Sequence, residues 1–293
     1  MAQMTKGKVV SGIVFLVLVW GSVWPIYKIA LEYTPPILFA GIRSLIGGLL
    51  FTMILLPNWR RIRWKETWPI YLISALFNVI LFYGVQSIGL QYLPAGLYSV
   101  IVYLQPVLVV FLAWIWLKEQ LTPLKVAGIL LGFIGVVFAS MKGIAGEISG
   151  LGVLFALVTG ISWAIGTVYV KRTKLLVHGL WLVALQNVLG GMVLTGFGAV
   201  VEDVGDIHWN GPFIVCLLYG AIFGVVLAFV VYFTLMNSGD SGKVGSFTFL
   251  VPLISVLIGT IFLQEPFTVS LALGMIFILI SIYLINFRKR QLE

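Results

Sequence analysis

Residues 102–122 read "VYLQPVLVVFLAWIWLKEQLT", and residues 248–268 read "TFLVPLISVLIGTIFLQEPFT". Laid over one another, proline falls on proline (Pro106, Pro252), glutamate on glutamate (Glu119, Glu265) and threonine on threonine (Thr122, Thr268). Each stretch is apolar almost up to its glutamate, and about 20 such residues span a hydrocarbon core of roughly 30 Å as a helix. The correspondence extends upstream: Trp20 falls on Trp163, and Gly47-Gly48 falls on Gly190-Gly191. Apolar helices aligned by chance would not share P-x12-E-x2-T. The chain therefore reads as two related halves, 1–141 and 150–287.

Composition sets the class. The chain has 293 residues, 61% hydrophobic and 10% charged, with a mean hydropathy of +1.11. An ordinary soluble domain is about 25% charged. This is an all-α integral membrane protein, and the alternation of a membrane barrel is absent. Ten transmembrane helices are expected at 8–30, 36–56, 68–90, 95–117, 123–141, 150–170, 180–201, 212–236, 243–262 and 267–287. The first apolar run lacks a small-x-small cleavage site, so it reads as a spanning helix and not a signal peptide.

The Lys and Arg residues orient the helices. With the N-terminus inside, the inner segments hold Lys6, Lys8, Arg60, Arg61, Arg63, Lys65, Lys118, Lys125, Lys171, Arg172, Lys174, Lys243, Arg288, Lys289 and Arg290. The outer loops hold only Lys142, and Lys28 and Arg43 fall inside spans. This asymmetry predicts an N-in, C-in topology. It also accounts for the net charge of +8 without nucleic acid. Five helices per half is an odd number, so the second half is inverted relative to the first. Inverted repeats characterise secondary transporters, whose substrate site lies near the bilayer midplane.

Polar and aromatic side chains inside spans mark a cavity or a helix contact. In "WGSVWPIYK", Trp20, Trp24 and Lys28 share a helix face. Pro25 removes a backbone hydrogen bond and bends the helix. Asn78, Tyr83, Gln86, Ser99 and Tyr103 occupy helices 3 and 4, and Trp163 and Thr167 occupy helix 6. Tyr232 and Phe249 are the second-half counterparts of Gln86 and Tyr103. Trp163, the counterpart of Trp20, is the foremost candidate for stacking on a substrate. Lys28 either attracts a substrate carboxylate or reaches the outer interface. Arg43 is expected to satisfy backbone carbonyls at a helix end. Glu119 and Glu265 are expected to sit at the first turn of the following helix, where negative charge is favoured. Pro106 and Pro252 are expected to bend helices 4 and 9. Cys216 is a core residue without a possible internal partner.

These residues resemble the ten-helix, EamA-type branch of the drug/metabolite transporter superfamily. "VWGSVWPIYK", the arginine of "AGIRSLIGG" and the two P-x12-E-x2-T segments carry the resemblance over nearly the whole chain. It implies a multi-pass cytoplasmic (inner) membrane transporter of amino acids, related metabolites or drug-like compounds, often acting outward. It also implies a central cavity lined by helices 1, 3, 4, 6, 8 and 9. The expected partners are a small-molecule substrate and the lipid bilayer, without a cofactor or metal. The state is monomer or homodimer, since the Gly128/Gly132 and Gly220/Gly224 pairs suit packing within or between chains.

Two other classes compete. A membrane enzyme acting on a lipid-like substrate would need a cluster of acids, histidines or a nucleophile–base pair. His178 and His208 fall in loops on opposite sides. A non-transporting scaffold would not need an inverted repeat with buried aromatic and amide side chains. No span contains Asp, Glu or His, so no proton relay is legible, and facilitated export fits the residues best.

Overall fold

Helix ends in this sequence are written by capping chemistry. Thr122 accepts a hydrogen bond from the Lys125 N–H and starts one helix. Ser149 accepts from Gly152, Asn210 from Phe213 and Thr268 from Leu271 in the same way. Each such cap is worth about 1 kcal/mol. The computed structural model describes residues 5–62, 64–141, 148–237 and 250–286. We number the helices α1 (Lys6–Ala30), α2 (Pro36–Leu55), α3 (Trp64–Gly89), α4 (Ala95–Leu117), α5 (Pro123–Ala139), α6 (Gly150–Thr173), α7 (Gly179–Val201), α8 (Gly211–Leu235), α9 (Val251–Phe262) and α10 (Val269–Asn286). Among the described residues there is no strand. Seven of these helices are long and apolar enough to cross a membrane, and α5, α9 and α10 are shorter apolar helices. Large apolar side chains such as Val10, Met53, Leu130 and Val137 face outward, as lipid contact requires.

Two antiparallel crossings organise the bundle. Along α2 and α7, Gly41 lies against Thr195, Leu45 against Gly191, and Gly48 against Asn187 and Val188. A Cβ on Gly48 would stand 2.6 Å from the Val188 backbone nitrogen, so the two backbones touch. Glu202, just beyond α7, accepts from the N–H groups of Ile37 and Leu38 at 2.9 and 2.8 Å. It thereby caps the start of α2 with negative charge. Along α5 and α10, Gly128 and Gly132 meet Ser281, and Gly135 and Ala139 meet Gly274. Ser281 Oγ donates to the Gly128 carbonyl across that seam. Both GxxxG pairs face neighbours within the chain, since Gly220 and Gly224 pack on Arg43 and Tyr27.

The crossings place matching contacts in the two halves. Gly47 of α2 rests on Ala221 and Val225 of α8. Its sequence counterpart Gly190, on α7, rests on Ala75 and Val79 of α3. Both α3 and α8 carry a π-helical stretch, Leu76–Gly84 and Tyr219–Leu227. Such stretches concentrate at functional sites.

Three sequence expectations change. Helix 4 breaks after Val102, and its second part runs Gln105–Leu117. Pro106 opens that second part, so the expected bend in helix 4 takes the form of this break, and Pro252 sits in the first turn of α9. A proline costs little there, because that N–H has no intrahelical acceptor. The glutamates do not cap the helix that follows; Thr122 and Thr268 do. Pro25 lies within the continuous helix α1, and the first residues expected in helix 9 lie outside the described residues.

Replacing Gly48 or Gly191 with Leu should force the backbones apart, at about 1–3 kcal/mol of overpacking. The melting temperature of the detergent-solubilised protein should fall for both. Gly196→Ala should leave it unchanged, because a Cβ added at Gly196 of α7 would meet nothing within 4 Å. Equal melting for all three variants would contradict the crossing.

Candidate functional site

The π stretch of α3 and the break in α4 turn aromatic and amide side chains toward the same space. They enclose a cavity of about 420 Å³. α1 contributes Trp20, Trp24 and Tyr27; α3 contributes Asn78, Phe82, Tyr83 and Gln86; α4 contributes Tyr103, Gln105 and Pro106. α6 contributes Trp163 and Thr167, α7 contributes Gln186, and α8 contributes Phe229 and Tyr232. Among the described lining residues none is charged.

The rings form two linked groups. Trp163 lies 5.0 Å from Phe82 and 5.8 Å, edge to face, from Tyr103. Tyr103 continues to Trp24 at 6.4 Å. Trp20 packs on Phe229 at 6.0 Å and on Tyr232 at 5.7 Å. Each of the paired tryptophans, Trp20 and Trp163, therefore meets rings from the π-bearing helix of the other half. Such ring contacts hold side chains in fixed orientations at about 0.5–1.5 kcal/mol each.

The amides are partly tied to one another. Gln105 Nε2 donates to Thr167 Oγ1 at 3.0 Å, and that hydroxyl donates to the Trp163 carbonyl at 2.8 Å. Asn78 Nδ2 donates to Gln186 Oε1 at 3.2 Å. Gln86 Oε1 is buried without a hydrogen-bond partner. A buried acceptor left so is costly and is satisfied when a ligand donor or water reaches it.

Lys28 and Ser99 are not in the lining. Lys28 Nζ donates to the Leu93 carbonyl at 2.7 Å and lies 3.5 Å from Glu265. Its charge is engaged by the protein rather than offered to the cavity. Ser99 is buried with its hydroxyl on the Gly96 carbonyl at 2.7 Å. Phe249 lies outside the described residues. Sequence reasoning passed over Tyr27, which the Trp20–Trp24 face reaches as readily as Lys28, and Gln186, an amide inside a span.

Arg43 departs from its expected backbone partners. It is buried, and its guanidinium stacks between the rings of Tyr27 (4.2 Å) and Tyr83 (4.4 Å). Nη1 donates to Tyr27 Oη at 2.9 Å. A guanidinium is broad enough to lie against two rings and still donate to a hydroxyl, and it is more weakly hydrated than an ammonium, so it suits such a buried place better. Desolvated, each cation–π contact is worth about 2 kcal/mol. Arg43 thus anchors two rings of the cavity wall from behind. Arg43→Lys should lower the melting temperature markedly despite keeping the charge. If Lys matched Arg in melting temperature, charge alone would explain the residue.

Comparison with known proteins gives the lineage. The EamA-like transporter family matches residues 7–141 and 150–287. The chain is 50% identical over 290 residues to the uncharacterized transporter YvbV of Bacillus subtilis, covering 99% of this chain and 95% of that protein. It is 27% identical to the uncharacterized inner membrane transporter YedA of Escherichia coli, covering 84% of this chain and 79% of that protein. A solved crystal structure overlays with a TM-score of 0.66 at 19% identity and 96% coverage of both chains, which shows a shared fold. An apolar helical bundle with this sequence kinship is a multi-pass protein of the cytoplasmic membrane, and the chain belongs to the EamA-like transporter family.

Proposed function

We propose that the chain is a secondary transporter that exports small metabolites, amino acids or related drug-like compounds, by alternating access. The N-terminus and C-terminus lie in the cytoplasm, and the halves 1–141 and 150–287 form an inverted repeat. The antiparallel crossings of α2 with α7 and of α5 with α10, each joining sequence-equivalent helices, support that arrangement. The observation that carries the reading is the aromatic- and amide-lined cavity of about 420 Å³ within the bundle. Ligand sites commonly measure about 300–1,000 Å³ and combine apolar walls with a few placed polar groups.

The lining favours a substrate with a flat or apolar body and hydrogen-bonding ends. Trp163, Tyr103, Trp20 and Tyr232 supply ring faces, and Asn78, Gln86 and Thr167 supply polar contacts. Zwitterionic amino acids and neutral aromatic compounds suit such walls. Flux runs down the substrate gradient, since rocking of two halves about a fixed site needs no bound ion. The outward direction follows the resemblance to exporters.

Purified protein in proteoliposomes should carry members of a panel of amino acids and cationic dyes, and collapsing the pH gradient should leave the rate intact. Trp163→Ala and Tyr103→Ala should each lower kcat/KM about tenfold, the equivalent of one lost ring contact at about 1.4 kcal/mol. Unchanged kinetics in both folded variants would remove the cavity from the mechanism. Turnover of a lipid without flux of any compound would remove the transporter.

A further inference from the structure

α4 and α9 end in the same way. Lys118 and Gln264 adopt left-handed backbone conformations with φ of 54° and 55°. The next N–H in each case turns back onto its helix, Glu119 to the Ala113 carbonyl at 3.3 Å and Glu265 to the Gly259 carbonyl at 3.0 Å. This turn directs each glutamate across the bundle and not along the chain. Each reaches a lysine of the other half. Glu265 meets Lys28, at the end of α1, and Glu119 meets Lys171, at the end of α6. The lysines are equivalent too, because Lys28 follows Trp20 by the same number of residues as Lys171 follows Trp163.

The two pairs are alike in chemistry and unlike in environment. The side chains of Lys28 and Glu265 are 32% and 9% exposed, those of Lys171 and Glu119 45% and 39%. Glu265 also accepts from the N–H groups of Ala95 and Gly96 at the start of α4, and Lys28 holds the Leu93 carbonyl. Gly259 makes room for this, since a Cβ there would collide with Glu265 Oε2. The Lys28 pair is thus a sheltered knot joining α1, α4 and the end of α9. The Lys171 pair is closed as well, Lys171 Nζ donating to Glu119 Oε1, but it is the more exposed of the two and has no backbone N–H groups around it, so it holds less.

We propose that the two lysine–glutamate pairs are alternating latches of the transport cycle, one at each end of the cavity. In the present state both pairs are closed, the Lys28 end by the sheltered knot and the Lys171 end by an exposed pair alone. In the opposite state Lys171–Glu119 is sheltered and Lys28–Glu265 stands in solvent. Each latch joins the two halves, so fastening one end and releasing the other is the rocking motion itself. The inference rests on the carrier reading and on the two halves being inverted copies.

The test is a pair of spin-label distances in a Cys216→Ala background, measured by pulsed dipolar resonance without substrate. Labels at Tyr92 and Phe267 report the Lys28 end, and labels at Trp116 and Leu175 report the Lys171 end; all four positions are exposed. Glu265→Gln should shift the first distance to longer values and the second to shorter ones. Glu119→Gln should do the reverse, and it keeps the proposal open to refutation should Glu265→Gln fail to fold. Combining Lys171→Glu with Glu119→Lys should restore the parent distances. Unmoved distances, or both ends moving alike in either variant, would overturn the latches. Flux assayed on the same preparations separates the two readings. Flux with unresponsive distances removes the latches alone; responsive distances without flux of any compound remove the carrier and leave the latches.

Discussion

Close backbone contact between α2 and α7 is the constraint on which the remaining structure depends. Lipid tails are as apolar as leucine, so burial gives membrane helices little reason to prefer one another to lipid. What holds them is dispersion between backbones brought close, and that needs positions without side chains. Gly41, Gly48 and Gly191 meet the need at one crossing, and Gly128, Gly135 and Gly274 at the other. Their neighbours Gly47 and Gly190 dock on α8 and α3, the two helices that carry the π stretches. The cavity-bearing helices are thereby suspended from a glycine-built frame.

Much of that frame was legible in the sequence. Ten apolar runs gave the helices, and the repeated proline, glutamate and threonine fall at matching places at α4 and α9. The threonines do what their position predicts at a helix start. The glutamates do not, because the intervening residue is left-handed and no residue type announced it: Lys118 and Gln264 are ordinary side chains in an uncommon backbone state. Where such a turn aims a carboxylate is a property of the tertiary fold. Glu265 reaches Ala95 and Lys28, far along the chain in both cases.

The cavity was legible through one rule, that polar and aromatic side chains in spans mark internal surfaces. Trp20, Trp24, Asn78, Tyr83, Gln86, Tyr103, Trp163, Thr167 and Tyr232 all line it. The rule overreached at Ser99, whose hydroxyl a local carbonyl satisfies, and at Lys28, whose charge a distant carboxylate engages. It fell short at Tyr27, and the reason lies in Arg43. A buried cation needs electron-rich neighbours, and without a nearby acid the faces of Tyr27 and Tyr83 supply them. One arginine therefore fixes two rings of the wall while remaining out of sight of the cavity itself.

The absence of charged side chains among the described lining residues has an electrical consequence. In the latch cycle proposed above, each lysine that leaves its latch is balanced by the glutamate it leaves, and the described cavity wall brings no formal charge of its own. The membrane potential then acts on the cargo alone, at about 2.3 kcal/mol per elementary charge per 100 mV. For a zwitterion the cycle is electrically silent, and chemical gradients set its direction. If the proposed carrier is passive, the potential would draw a monocation inward in an energised cell. In a passive carrier of this kind, the voltage would add to the concentration gradient for charged solutes and leave neutral and zwitterionic ones to their gradients alone.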